Sequence, residues 1–471
     1  MNLMPAPRHL PCLILTACMA GWTAWVQHDP FFWDTVQLGS KHAHHFYENG
    51  LQWTALPSEI DSGHPPVFGY YLALVWTLFG KTLPASHWAM FPFLAGIAIL
   101  LYRLGEQAGG KGWGCVLALL AILDPVLAGQ SALIGPDVPL AFFFLLAVFS
   151  LINKHSALAA VAILGLCAIS MRGMMTAAGL FAWQLAVQGV QTHKIPDPLR
   201  PGLVFLPGAM FAAWFLWWHQ NATGWTGFHA GSPWAAAFEP VSGAGFLKNI
   251  LVLGWRWVDL GRFIEWMVLG ALLVQWRRKK TGDNTWTRWA LLLAALVLFL
   301  SPSALLYRNL SAHRYFLPAF LAMHLLVIHL LGHFDLRSLW RKSVLTALFL
   351  GLGTGNCWIY PRGISMDWDS TLAHRPYHRL RAEMLAYIEK EKIPFSGIGT
   401  AFPNVNYGEH LLLNGDRRTF SEKNYLKNEY ILASNVFNDF SETDYEVLQR
   451  EWLPVNKLEH CGVWLVLYRK H

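Results

Sequence analysis

PPVFGYYLALVWTLFG, residues 65–80, is the stretch on which the reading of the whole chain turns. Its 16 residues rise about 24 Å as a helix, short of the roughly 30 Å hydrocarbon core of a bilayer. Longer apolar runs begin near residues 10, 85, 113, 138, 156, 173, 201, 263, 286, 314 and 343. If residues 65–80 lie at the interface, the loops that follow obey the positive-inside rule. Arg103 and Lys111, Lys154, Lys194 and Arg200, Arg277–Lys280, then Arg337, Arg341 and Lys342 all fall on the cytoplasmic side. If the segment crossed, each of those groups would stand outside. The sequence therefore predicts about eleven transmembrane helices, with residues 65–80 as a juxtamembrane or re-entrant helix. The N-terminus is expected inside and the C-terminus outside.

Composition agrees. The 471 residues are 54% hydrophobic and only 14% charged, where a soluble protein carries about 25%. The deficit is confined to the first 360 residues, which hold 22 Lys/Arg and 14 Asp/Glu. Residues 361–471 hold 14 and 15, an ordinary soluble fraction. A single soluble globule, a disordered chain and a fibrous repeat are excluded. The expectation is an all-α polytopic membrane domain over 1–360 and a small α/β extracytoplasmic domain over 361–471. The net charge of +7 comes from the membrane part, so it reads as a topology signal and not as a nucleic-acid footprint. Leu15-Thr16-Ala17-Cys18 has the form of a lipoprotein cleavage box. The apolar stretch continues past Cys18, so residues 10–26 read as an uncleaved first span.

In the tail, residues 376–392 have helical periodicity, and FSGIGTAF, EYILASN and GVWLVLY read as strands. There is no tandem repeat and no glycine-rich phosphate loop, so no soluble nucleotide is expected. Of the six cysteines, only Cys357 and Cys461 could pair in an oxidising compartment.

In this topology the loop 27–64, the loop near 129–137, Arg172, the loop 220–262 and Tyr307–Arg314 open on one external face. Asp34 follows three aromatics, Phe31-Phe32-Trp33, and precedes a predicted helix over 36–49. A carboxylate partly desolvated among rings suits a general base; the blander role is the cap of that helix. His64 stands before Pro65-Pro66 and could donate to a phosphate, or simply sit at the interface. His42, His44 and His45 do not share one helix face, so a metal site is not expected. Asp124 and Asp137 are ionisable groups at membrane depth, and such groups usually face a cavity. Asp61 closes the first loop, and Arg172, Arg308, His313 and Arg314 add cationic or hydrogen-bonding groups. Together these describe a site for an anionic lipid headgroup with a base beside it.

The order of motifs resembles a known family. An acidic residue follows aromatics in the first loop, and His64-Pro65-Pro66 precedes an apolar helix. Pro136-Asp137-Val138-Pro139-Leu140 opens a later span, Gly165-Leu166-Cys167-Ala168 leads to Arg172-Gly173, and Arg314-Tyr315 precedes Leu317-Pro318. Over about residues 30–320 this resembles the dolichyl-phosphate-mannose protein mannosyltransferase-like family. Its relatives include the lipid A aminoarabinose transferases, within the C-type membrane glycosyltransferases.

The resemblance implies a polyprenyl-phosphate sugar donor, an acceptor hydroxyl on the external (periplasmic) face and inversion at the anomeric carbon. Asp34 and Asp137 would be the catalytic carboxylates; Arg172, Arg314 and His64 would hold the donor phosphate, and Tyr315 matches the late aromatic, while Asp61 and Asp124 remain further candidates on the residues alone. The acceptor would be an envelope glycan, lipid or protein, chosen by loop 220–262 and the tail, and the location a bacterial inner membrane. Two departures stand out. Thr35 takes the place of a second carboxylate, which weakens the case for a divalent cation. His64 replaces a lysine. Rival readings are a lipid or glycan transporter, which predicts charges at the midplane, and a membrane-anchored binding protein acting through its tail.

Overall fold

The computed structural model describes residues 10–227, 229–231, 234–279, 285–308, 310–334, 337–361 and 364–471. Lys280, of the expected basic cluster, lies outside them. Among the described residues, four helices are long and apolar enough to cross a membrane: Leu83–Gly109, Leu199–Thr223, Thr285–Leu306 and His313–His333. Trp113–Leu123 and Pro125–Ser131 make a fifth if the pair, bent by 73°, is one broken span. Leu10–Val26, Asp137–Ile152 and Ser156–Ile169 are apolar but shorter. Met171–Thr192, Arg262–Lys279 and Ser338–Gly355 account for the remaining expected runs. The protein is an integral membrane protein, and its helices surround one that is buried on every side. Each residue from Leu317 to Leu331 is buried, as expected of a helix enclosed by its neighbours.

Residues 65–80 form the helix Val67–Phe79, about 20 Å long at 1.5 Å per residue. Its flanks stay at one end of the bundle. His64 lines a cavity with Arg314, and Lys81, just past the helix, pairs with Glu409 of the C-terminal region. Both flanks of this short helix thus lie toward the end of the bundle that meets the C-terminal region. Gly243–Val258 is a further helix at a position read as loop. The predicted helix 36–49 is a π-helix, Val36–Lys41, continued by the α-helix His42–Glu48.

The C-terminal region forms a five-stranded sheet in the order β2-β1-β3-β5-β4. The strands are β1 (Ile398–Thr400), β2 (Ser421–Glu422), β3 (Tyr430–Ser434), β4 (Trp452–His460) and β5 (Val463–Lys470). β1 runs parallel to β2 and β3, while β5 runs antiparallel to β3 and β4. The predicted tail helix spans Pro376–Lys390 and packs on the sheet. β2, β4 and the helix Glu442–Glu451 go beyond the sequence reading; β4 is a mostly exposed edge strand interrupted at Pro454. The expected Cys357–Cys461 disulfide is corrected: both are free thiols. Cys461 lies in the β4–β5 turn, its Sγ 3.5 Å from His460 Nε2.

Two apolar cores result. Phe31 belongs to the membrane core, and Phe32 to the core of the C-terminal region, where it stacks on His374 at 4.7 Å.

Candidate active site

The polar groups reach one end of the bundle because each sits where a helix breaks. Thr35 closes a tight turn, its Oγ1 donating to Phe32 O at 2.7 Å and accepting from Phe32 N at 2.9 Å. Trp33 adopts the left-handed conformation, φ 51°, which a bulky residue rarely takes without surrounding constraint. Asp34 is thereby presented to the bundle, where its carboxylate accepts from Arg314. It does not cap the following helix.

Asp137 opens the helix Asp137–Ile152. Ser170, with extended backbone, separates two helices and caps the second through Gly173 N at 3.1 Å. Arg172 therefore stands in a first helical turn. Arg314 and Tyr315 lie in a single 3-10 turn, His313–Phe316, ahead of the buried helix.

These groups converge. Arg172 donates to Asp137 Oδ1 at 2.7 Å, and Arg314 Nη1 lies 3.4 Å from Asp137 Oδ2. Both guanidiniums lie over the Tyr315 ring, at 4.3 and 5.1 Å from its centroid. Asp34, His64, Arg172, Arg314 and Tyr315 line one cavity of about 430 Å³ with Leu38, Met171, Met174 and Met175. From the long loop, Thr226, Gly227, Trp234 and Phe238 join the wall. His64 has an unpartnered buried Nδ1. Burial, and then the charge of Arg172, lowers its imidazole to about 3, so His64 is a neutral hydrogen-bonding group and not a cation.

A third carboxylate was not foreseen. Asp369, in the turn Trp368–Ser370, places Oδ2 3.2 Å from Arg314 Nε. Burial pushes its carboxyl up to about 7; Arg314 opposes the shift, and Asp34, Asp367 and Asp137 reinforce it. Nearby Asp367 is half-buried, and Arg256 and His313 outweigh its desolvation and hold it low. His313 bridges Asp367 at 2.9 Å and Asp259 at 3.2 Å, fixing the turn that carries Arg314.

Two sequence candidates lie elsewhere. Asp61 accepts from His219 Nε2 at 2.9 Å and Gly63 N at 2.8 Å, tying the first loop to Leu199–Thr223. The approach requires glycine: Gly63 has φ +71°, and a Cβ there would lie 2.1 Å from Gly227 O. Asp124 is buried at the 73° bend, accepting from Val126 N at 2.9 Å and from Arg262 at 2.7 and 3.0 Å. His324 links it to Glu265, at 3.4 and 2.6 Å. The bend sends Pro125–Ser131 toward the C-terminal region, where Gln130 Nε2 donates to Asp369 O at 2.7 Å. Asp124 thus positions a wall of the site from a distance. His42, His44 and His45 turn to separate partners: Ile60 O, Ser40 O with Glu409, and Thr54. Among the described residues no group of three His, Cys, Asp or Glu side chains could hold a metal ion. The site carboxylates are instead spanned by guanidiniums.

A second cavity of about 670 Å³ meets Asp34 from the side of the C-terminal region. One carboxylate thus borders two chambers, one walled by methionines and arginines, the other polar.

The architecture, a helical membrane body with a small C-terminal sheet, has a solved counterpart. A solved structure with this fold is that of ArnT from Cupriavidus metallidurans, bound to undecaprenyl phosphate. It matches with a TM-score of 0.54 over 97% of this chain and 97% of its own, at 12% identity. No protein-family model matches the chain, and no curated protein matches it in sequence.

Proposed function

We propose that this protein is a membrane glycosyltransferase that moves a sugar from a polyprenyl-phosphate carrier to an acceptor hydroxyl on the extracytoplasmic face, with inversion. The observation that carries the reading is the pairing of Asp34 with Arg314 at the rim of a cavity that also presents Arg172 and an apolar wall. The fold shared with a protein that holds undecaprenyl phosphate supports a donor of that class. Residues 1–360 are the transferase body in this reading, and 361–471 the extracytoplasmic domain.

The lipid chain of the donor lies against Leu38 and the methionines, and its phosphate meets Arg172 and Arg314. A sugar phosphate is already activated; the barrier falls when the departing phosphate's charge is stabilised. Asp137 holds both guanidiniums in register and Tyr315 supports their faces, so little reorganisation is needed at reaction. His64 adds a neutral donor to a phosphate oxygen. Phosphate binding draws Arg314 away from Asp34, leaving its carboxylate to accept the acceptor's hydroxyl proton. The acceptor oxygen attacks the anomeric carbon opposite the phosphate, the carbon–oxygen bond breaks, and polyprenyl phosphate leaves.

Asp34→Asn keeps the volume and a hydrogen bond to Arg314 but removes the base. Sugar transfer in isolated membranes is expected to fall by about 10²–10⁴-fold at unchanged protein level. Transfer at the wild-type rate would remove Asp34 from that role.

A further inference from the structure

The second cavity at Asp34 is built for something other than lipid. One wall comes from the first loop, through Trp33 and Gln37, and the other from the C-terminal domain, through Phe402 and Asn406. The Trp33 and Phe402 rings meet edge to face at 5.9 Å. Trp33 Nε1 and Gln37 Oε1 are buried yet have no hydrogen-bond partner, although Gln37 is only 7% exposed. Native proteins leave few buried polar atoms unsatisfied, and such atoms call for an explanation, a bound ligand among them. A donor and an acceptor beside an aromatic face suit a ring that shows C–H groups on one side and hydroxyls at its edge.

The charges narrow the ligand further. Glu59, Glu422 and Asp439 line the cavity with Lys41 and Lys423. Lys423 is already bound to Asp444 at 2.7 Å, so three carboxylates face one uncommitted ammonium group. A field of that sign repels phosphate-bearing ligands.

We propose that this cavity is the acceptor site, and that the acceptor is an unphosphorylated, neutral or amino-bearing sugar residue of an envelope glycan, presented from the aqueous side. The proposal rests on the glycosyl transfer proposed above. The sugar would lie on Trp33, bond to Gln37 and Asn406, and direct a hydroxyl at Asp34, across which the donor waits.

The test uses the full-length protein in cells lacking the native copy, complemented with wild type, Asp34→Asn, Trp33→Ala or Gln37→Leu. Envelope polysaccharide and lipid fractions are compared by mass spectrometry. Each variant is purified in detergent and melted with and without undecaprenyl phosphate. A sugar mass on the polysaccharide fraction is expected in wild type and absent in Asp34→Asn. Trp33→Ala and Gln37→Leu are expected to lower it at least tenfold while retaining the stabilisation by undecaprenyl phosphate. Gln37→Leu, of similar volume, carries the test alone if Trp33→Ala fails to fold. Wild-type decoration by Gln37→Leu, or the added sugar on a phosphorylated lipid, would overturn the acceptor assignment and leave the transferase reading standing. Identical fractions from wild type and Asp34→Asn would overturn that reading and this proposal with it.

Discussion

Arg314 Nε lies 3.2 Å from Asp369 Oδ2, joining the head of a buried membrane helix to a turn of the C-terminal domain. The contact lacks hydrogen-bond geometry, since neither atom has a hydrogen-bond partner. Asp369 sits instead in a carboxylate-crowded, dry position that favours its neutral form.

That position has a pH signature. The Asp369 carboxyl is raised from 3.8 to about 7 in the folded protein, so the folded state binds more protons than the unfolded state between those values. This group's contribution to stability therefore declines as pH rises from about 4 to about 7 and is level above that. Asp369→Asn removes the titration. Its melting temperature relative to wild type is expected to increase across that window, read by thermal scans in detergent at pH 5, 6, 7 and 8. A constant difference would show that Asp369 does not titrate there.

Arg172 is held by Asp137 and by the Tyr315 ring, a geometry that uses the planar guanidinium. Arg172→Ala is expected to lower transfer by about 10²–10³-fold, the usual cost of one donor to developing charge. Arg172→Lys should fall between the two, because an ammonium group supplies charge without the fork or the stacking. Single-turnover rates with a polyprenyl-phosphate sugar would read the order.

The Asp124–Arg262 pair is fully buried. Arg262→Met leaves Asp124 without its guanidinium partner and is expected to cost about 3–5 kcal/mol of stability. Adding Asp124→Asn should recover part of the loss, as expected of contacting partners. Melting curves of the two single variants and the double variant would measure the coupling.

Topology can be read chemically. Ser58 and His155 are both exposed; Ser58 adjoins the Asp34 end, and His155 follows the far end of Asp137–Ile152. With the six native cysteines replaced, Ser58→Cys is expected to react with an impermeant maleimide on intact cells, and His155→Cys only after permeabilisation. The reverse pattern would invert the proposed orientation.

Asp34, His64, Asp137, Arg172, Arg314 and Tyr315 could be picked out by their settings: Asp34 follows three aromatics, His64 precedes two prolines, Asp137 opens an apolar span, Arg172 interrupts apolar runs, and Arg314-Tyr315 stand just before another span. Asp369 could not. It lies in a stretch of ordinary soluble composition, where one carboxylate among many carries no contrast. Asp124 stood out by the same rule that flagged Asp137, yet membrane depth alone does not tell a cavity from a buried partner. Its partners Arg262 and His324 come from helices more than a hundred residues away. Asp61 was ambiguous for a similar reason, its partner His219 lying on a distant helix. The second cavity had no linear signature either, because its walls are contributed by residues 33–59 and 400–439.

Phe31 and Phe32 are consecutive yet anchor in different hydrophobic interiors, and Asp34 follows two residues later. The acidic group is therefore aligned by a docking event between two bodies rather than by either alone. A tail exchanged for one from a distant homologue would shift Phe32 and carry Asp34 with it. The two parts of the chain are thus obliged to diverge in step, and chimeras should prove inactive even where both halves fold.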